Sequence, residues 1–226
     1  MKTLITALLL TIAIPLFSQD CTWFFPMKEG AQLKYTSFNA KDKITGSYQH
    51  DLKEIKEDGG NKSAVVTITN FDKDGAEVYK NDVDISCKDG VYYIDMKNYM
   101  NGQSMGAYES MDATVEGDYL DMPGNMKAGD KLKGGKLSIQ ISNSGVSIIN
   151  MTTTISNRTV EAIENVTTEA GTFECYKITS NVSFKAIMEM NMNVVEWYAK
   201  DVGLVKSETY KSNGKLTSRT ELISSK

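Results

Sequence analysis

Three methionines at alternating positions form the pattern with the clearest capacity for chemistry. Met188, Met190 and Met192 would share one face of a β-strand, because successive side chains of a strand point to opposite sides. Their thioethers are soft ligands of the kind that copper(I) prefers. The same face continues through Phe184 and Val194, and flexible methionine side chains also fill apolar cores or line ligand grooves. The pattern therefore favours a core or an apolar ligand face over a copper site.

A tryptophan follows this stretch and is the last member of the predicted ligand face. Trp197 and Tyr198 place large rings on opposite faces of a strand, so one is expected in the core and the other in a groove or at the surface. The predicted ligand face then consists of Phe184, Met188, Met190, Met192 and Trp197.

Other candidate motifs lack the partners that their chemistry needs. Gly102–Gly106 spells a nucleophile elbow, but no histidine follows it. The only histidine, His50, lies between polar residues, which predicts a solvated strand side chain and excludes zinc sites built on several histidines. Asn70–Gly75 resembles the start of a calcium loop, but its twelfth position is Asn81 instead of glutamate, so a polar turn explains it better. The sequence predicts no enzyme, no metal site and no cofactor.

The three cysteines indicate a protein of an oxidising compartment. We expect one disulfide and one buried thiol among Cys21, Cys87 and Cys175, and the sequence leaves open which two residues pair. Cys21 also raises the alternative of a lipoprotein, because it follows an apolar leader closely. A lipid-accepting cysteine requires a small residue before it, and Asp20 precedes Cys21, which favours a soluble exported form.

The first eighteen residues have the composition of a secretory signal peptide. Lys2 is followed by an apolar run from Leu4 to Phe17 and by the small residue Ser18. Residues 19–226 then have the length of a single β-domain with a substantial core. No later segment is apolar for long enough to be a transmembrane helix. The net charge of -4 and the lack of basic blocks disfavour a nucleic-acid partner.

The elements that must carry these residues are predicted to be β-strands joined by tight turns. Asp74–Gly75, Asp89–Gly90 and Asn213–Gly214 each separate two runs of β-branched and aromatic residues. Such turns join antiparallel neighbours. The fold class is therefore all-β, with a single curved, mostly antiparallel sheet in the form of a half-open barrel or β-roll. One or two short helical turns are predicted near residues 96–111, where apolar residues have helical spacing.

The alternation around the methionines predicts one unusually long strand. It runs for about 13 residues through Phe184 and Val194, which corresponds to ~40 Å at the usual rise of a strand. A strand of this length is expected to curl, because the twist of a sheet accumulates along it.

Three segments carry a resemblance to a known family. They are Phe24–Gly30, Asn157–Ile178 and Glu196–Glu208. Together they resemble the secreted bacterial TapB-like family, which contains domain of unknown function 3108. The resemblance implies an all-β, half-open barrel or rolled sheet exported by a Gram-negative bacterium to the periplasm or the exterior, and it implies no catalytic residues. The family's usual proline before the A-G-T-F motif is Glu169 here, which affects only the local turn.

These observations predict an exported, non-enzymatic protein that holds an apolar or lipid-like ligand in the concave face of its sheet. The alternative is a structural or protein-interaction component of the cell envelope with a filled core. The interior distinguishes the two, because ligand binding requires an apolar cavity of ~300 Å³ or more and a scaffold has none.

Overall fold

A computed structural model describes residues 21–58, 61–100, 105 and 111–226 of the chain. Thirteen strands and one 3₁₀ helix (Met96–Tyr99) occur among the described residues. The strands are β1 (Gln32–Asn39), β2 (Ile44–Asp58), β3 (Asn61–Asp72), β4 (Glu77–Lys88), β5 (Val91–Asp95), β6 (Asp112–Gly117), β7 (Tyr119–Pro123), β8 (Gly135–Asn143), β9 (Val146–Thr168), β10 (Gly171–Lys185), β11 (Glu189–Ala199), β12 (Gly203–Lys211) and β13 (Leu216–Ser225). They form one antiparallel sheet that is nearly closed as a barrel, which confirms the predicted fold class.

The order of strands in the sheet brings the two ends of the domain together. It is β6-β8-β9-β10-β11-β12-β13-β1-β2-β3-β4-β5-β7, so the first strand pairs with the last. The two edge strands, β6 and β7, are separated in the sequence by Asp118 alone. The Asp118 N–H donates to the carbonyl of Lys136, and its carbonyl accepts from the Met96 N–H, at 2.9 and 3.0 Å. One residue thereby links both edges of the sheet.

Two-residue turns connect β4 to β5, β8 to β9 and β9 to β10 among the described residues, and the first of these is the predicted Asp89–Gly90 turn. Asp89 and Gly90 have positive φ angles of 53° and 76°, and Ser144 and Gly145 have 49° and 79°. Positive φ at both positions gives a turn whose twist matches the strands that it joins.

The N-terminal segment fills one end of the barrel. Phe24 is buried there, with its ring centroid 5.7 Å from that of Tyr92, 5.8 Å from Tyr176 and 6.4 Å from Tyr198. A disulfide joins Cys21 to Cys87, whose Cα atoms are 6.1 Å apart. The segment is therefore held by packing and by a covalent bond. We call this the plugged end.

The predicted long strand is wrong, because the chain reverses inside it. β10 ends at Lys185, residues 186–188 form a bend, and β11 returns alongside, with Phe184 opposite Met190. The bend contains Ala186, Ile187 and Met188 and lacks the glycine, proline, asparagine or aspartate that usually marks a turn. Its residues continue the alternation of the flanking strands, so the pattern is that of one strand.

The predicted helical region is described only in part. Residues Met96–Tyr99 form the 3₁₀ helix, and the Asp95 carboxylate caps it by accepting the Lys97 N–H at 2.9 Å. Residues 101–104 and 106–110, which include most of the candidate nucleophile elbow, lie outside the described residues. Across the described ranges, no helix is long and apolar enough to span a membrane.

Candidate functional site

Polar side chains from five elements converge on a cavity of about 190 Å³ inside the barrel. Each lies on the inward face of its strand, where alternate neighbours are apolar core residues. Tyr99 enters the same space from the 3₁₀ helix. The polar lining includes Tyr48 and His50 of β2, Asn70 of β3, Asn81 of β4, Asn98 and Tyr99 of the 3₁₀ helix, and Glu196 and Tyr198 of β11.

A buried carboxyl group forms part of the cavity wall. Glu196 is only 5% exposed. Its Oε1 accepts hydrogen bonds from the hydroxyls of Tyr99 at 3.1 Å and Tyr198 at 3.3 Å. Burial raises the pKa of Glu196, and the positive charge of Arg158 and the two tyrosine hydroxyls counteract that rise. A carboxylate offers about four acceptor positions, so Glu196 retains capacity for a further donor.

The positive charge that lowers the pKa of this carboxyl group is itself buried. The Arg158 side chain is 1% exposed, and its Nη1 donates to the carbonyls of Asp121 at 3.0 Å and Lys133 at 2.8 Å. Nη1 also lies 3.2 Å from Asp121 Oδ1. Arg158 is thus held against β7 and the loop that follows it, and it acts on Glu196 through its field.

His50 belongs to an aromatic stack on the wall of the cavity. Its ring centroid is 5.1 Å from that of Tyr35 and 5.2 Å from that of Tyr48, and the two tyrosine rings are stacked at 4.6 Å. Burial lowers the pKa of His50 to about 4. The prediction of a solvated histidine is therefore wrong: Gln49 and Asp51 point away from the interior, and His50 between them points inward. The imidazole is neutral at pH 7.

An amide donor in the cavity wall has no partner among the described residues. Asn81 Nδ2 is inaccessible to solvent and makes no hydrogen bond there. Buried donors in folded proteins are almost always satisfied by protein, water or ligand. Asn81 lines the cavity, and because its Nδ2 is closed to solvent, this amide reaches a bound molecule only after its side chain rotates.

A second cavity adjoins the first and extends toward the barrel end opposite the plugged end. It has a volume of about 330 Å³ and shares Tyr48, Asn70 and Met100 with the first cavity. Its other lining residues are mostly small and hydroxyl-bearing: Ser37, Thr45, Gly46, Ser47, Phe71, Ser218 and Thr220. These lie near the turns that follow β1 and β3, at what we call the open end.

The plugged end of the interior is filled instead. The apolar space between Phe24, Leu33 and Tyr92 amounts to about 30 Å³. The expected apolar cavity of ~300 Å³ is therefore absent from this part of the described structure, and the larger spaces are lined by polar groups.

The five residues of the predicted ligand face do not share one surface. Phe184, Met190 and Met192 lie on the inward face of the β10–β11 hairpin, and Phe184 packs against a second apolar core cluster. Met188 is exposed in the bend. Trp197 lies on the outward face of β11. Ligand binding by these residues stays a prediction.

Trp197 covers a buried thiol on the outside of the barrel. It packs with Cys175, and its Nε1 donates to Glu164 Oε1 at 2.7 Å. The ammonium groups of Lys177 and Lys206 lie 5.8 and 5.2 Å from its ring centroid. Cys175 is the free cysteine, and burial raises its pKa to about 12. The structure thus contains the expected disulfide and a buried free thiol.

Sequence reasoning missed the residues of the cavity, although one signal was present. Glu196 continues the face of Met192 and Val194, so a carboxyl group stands in an otherwise apolar series. Tyr99 gave no signal, because its position depends on where the 3₁₀ helix lies against β11. No cluster of three or more histidine, cysteine or acidic side chains suited to a metal ion occurs within the described ranges.

Comparisons with known proteins identify a family and two solved structures that share the fold. The model of the DUF3108-like family matches residues 28–222, which confirms the expected family, although the narrower TapB-like name is not part of that match. Two crystal structures share the fold. One, provisionally described as an exported protein with a YmcC-like fold from Bacteroides fragilis, has a TM-score of 0.80 and 24% identity over 91% of this chain and 100% of its own.

The other crystal structure is provisionally described as a lipoprotein from Parabacteroides distasonis. Its TM-score is 0.79, with 24% identity over 92% of this chain and 100% of its own. None of the curated proteins matches the chain. At this identity the two structures establish the fold alone.

Proposed function

The chain belongs to the DUF3108-like family, and from that premise we propose that it is an exported, non-enzymatic protein that binds a small polar ligand inside its barrel. The ligand enters through the open end and is held by the groups around Glu196 and Asn81. The observation that carries this proposal is the buried Nδ2 of Asn81, which has no partner among the described residues and belongs to a side chain that lines the same cavity as Glu196.

Burial of these polar groups lowers the free energy of unfolding of the empty barrel. A buried donor without a partner costs roughly 1–3 kcal/mol, and a buried carboxylate costs several kcal/mol before compensation. A barrel that served only as a scaffold would be more stable with apolar side chains at Asn81 and Glu196. A ligand that accepts from Asn81 and donates to Glu196 compensates for both costs.

The lining defines the class of ligand. Most of its polar groups are uncharged amides, phenols and hydroxyls, with the neutral imidazole of His50, the carboxyl group of Glu196 and the ammonium group of Lys97. These groups suit an uncharged molecule with several hydrogen-bonding groups. A long acyl chain fits poorly, because the apolar space at the plugged end is about 30 Å³.

Export is supported by several observations. The Cys21–Cys87 disulfide is typical of an oxidising compartment, residues 1–18 read as a signal peptide, and the two similar structures carry descriptions of export and lipid attachment. Since the Sγ atom of Cys21 is bonded to Cys87, it is not available for a lipid thioether. We therefore place the chain, as one domain from residue 19 to 226, in soluble form in the periplasm or outside the cell.

A non-enzymatic role is supported by the arrangement of the titratable groups. No hydrogen bond joins His50 to an acidic side chain among the described residues, and its low pKa makes it a poor base. The Glu196 oxygens are engaged by tyrosine hydroxyls. No hydrogen bond joins a described serine or cysteine to His50, the single histidine of the chain.

A role as a structural or interaction component of the envelope is the second candidate. It is supported by the filled apolar packing at the plugged end, where Phe24 and Leu33 leave almost no space.

Native mass spectrometry tests the proposal on protein purified from its own host. We expect a bound small molecule with wild type, its loss with Asn81→Leu, and its retention with Asn165→Leu, the same change at an exposed position of β9. A mass that corresponds to free protein in repeated preparations, with no thermal shift from small polyols or amides, would favour the scaffold. A bound phospholipid would overturn the polar ligand and restore the apolar one.

A further inference from the structure

One hairpin of the barrel has no charged residues along most of its length. No acidic or basic side chain occurs between Lys136 and Arg158, a stretch that contains β8, the turn after it and the first part of β9. Surface strands of a soluble protein normally carry charges on their exposed face. Here Val146 is 68% exposed and Ile148 is 51% exposed.

The bend between β10 and β11 exposes further apolar side chains. Ile187 is 96% exposed, Met188 77% and Met190 51%. Scattered exposed aliphatic residues are ordinary, but a contiguous group marks an interaction surface.

The strand register places both sets of residues at the same end of the sheet. Thr152 of β9 lies opposite Lys185, the last residue of β10. Since neighbouring strands are about 5 Å apart, the bend at 186–188 runs alongside the continuation of β9 toward Ile148. We call Val146, Ile148, Ile187, Met188 and Met190 the apolar tip. It lies at the open end of the barrel.

Lysines lie on one side of the apolar tip, from the end of β10 to the turn between β12 and β13. Lys185 precedes the bend, and Lys211 and Lys215 flank the neighbouring turn between β12 and β13, which contacts β11 through a hydrogen bond from Ser212 Oγ to the Asn191 carbonyl. All three lysines are exposed. Glu189, the acidic residue that follows the bend at the start of β11, accepts a hydrogen bond from Ser183 Oγ at 3.1 Å.

We propose that the apolar tip docks on a lipid bilayer. Aliphatic side chains at a projecting end, with lysines behind them, match an apolar layer beneath anionic head groups. The proposal goes beyond ligand binding and rests on different residues. Docking in this orientation turns the open end and its cavity toward the membrane surface.

Vesicle flotation with the full mature chain tests the docking. We expect binding to vesicles of phosphatidylethanolamine and phosphatidylglycerol, and we expect it to fall at least about tenfold in the double variant Ile187→Asp/Met188→Asp. The matched control is Ile163→Asp, at an aliphatic residue of β9 that is 46% exposed near the plugged end. It should bind as wild type does.

An environment-sensitive dye at the tip provides a second measurement. Ile187→Cys is selectively labelled in the native protein, because Cys175 is buried and the other two cysteines form the disulfide. Its emission should shift to the blue with vesicles, and that of Ile163→Cys should not. Unchanged flotation in the double variant, or no blue shift at position 187, would overturn the proposal. So would a dimer in light scattering that the double variant dissociates, because a second copy would then occupy the tip.

Discussion

The hydroxyl of Tyr99 donates a hydrogen bond to Glu196 across 97 residues of sequence, at 3.1 Å from Oε1. This contact fixes the 3₁₀ helix against β11 and places both residues in the wall of one cavity. The same carboxyl group is acted on by Tyr198 and Arg158, so its protonation state affects the stability of the barrel as well as its binding chemistry.

The Glu196→Gln variant should become progressively more stable than wild type as the pH rises. The folded-state pKa of Glu196 is raised by burial, so its stability contribution is present below the unfolded-state pKa and is lost as the pH rises through the folded-state pKa. The glutamine variant has no such loss. Urea unfolding from about pH 5 to about pH 8 measures the difference. The control is Glu174→Gln at an exposed position, and an equal profile in both variants would contradict the argument.

The histidine has the opposite dependence on pH. The folded-state pKa of His50 is lowered from 6.5 to about 4, so its contribution is present above the unfolded-state pKa and is lost as the pH falls toward 4. The full loss is about 3 kcal/mol of unfolding free energy. In His50→Phe, which keeps a ring beside Tyr35 and Tyr48, that part of the acid sensitivity should disappear from urea unfolding curves. If both proteins lose stability equally between about pH 6.5 and 4, then His50 is not the group responsible.

Reduction of the disulfide should destabilise the barrel by roughly 4 kcal/mol, because the bond closes a loop with a sequence separation of 66 residues. Denaturation by guanidinium with and without reductant measures this loss. The double variant Cys21→Ser/Cys87→Ser should match the reduced wild type and no longer respond to reductant. Cys175→Ala should keep the full response. A response of equal size in the double variant would assign the effect of reductant to another group.

An alanine at Gly203 should cost more stability than an alanine at Gly214. Both glycines have positive φ, 107° and 80°, but a Cβ at Gly203 would lie 3.0 Å from the carbonyl oxygen of Phe24, and one at Gly214 would contact nothing within 4 Å. We expect about 1 kcal/mol for Gly214→Ala from backbone strain alone and about 3 kcal/mol for Gly203→Ala. Equal losses in thermal or urea unfolding would show that the N-terminal segment does not press on this turn.

The fold was predictable because its determinants are local. Turns such as Asp89–Gly90 combine positive φ with short polar residues, and alternation in the flanking runs gives the strands. The bend at 186–188 was not predictable, because it lacks such local determinants. It contains no residue specialised for a turn, and its position is set by pairing of Phe184 with Met190 and by β9 alongside.

The residues of the cavity were harder to predict from the sequence, because their positions depend on contacts between distant elements. His50 points inward because of the way in which β2 pairs with β1 and β3. Its polar neighbours in the sequence had predicted a side chain exposed to solvent. Trp197 was assigned to the ligand face, yet it covers Cys175 on the outside, since both faces of β11 are buried near its end. Periodicity indicates which residues share a face and leaves open which face is inside.

The pairing of β1 with β13 has a consequence for biosynthesis. β1 pairs with β2, its neighbour in the sequence, but its other partner in the sheet is β13 (Leu216–Ser225), so the sheet is completed only after β13 has been made. Contacts of such long sequence separation form slowly. Under the export that we propose, the chain therefore crosses the secretory machinery before its tertiary structure closes, and it becomes a barrel only on the far side.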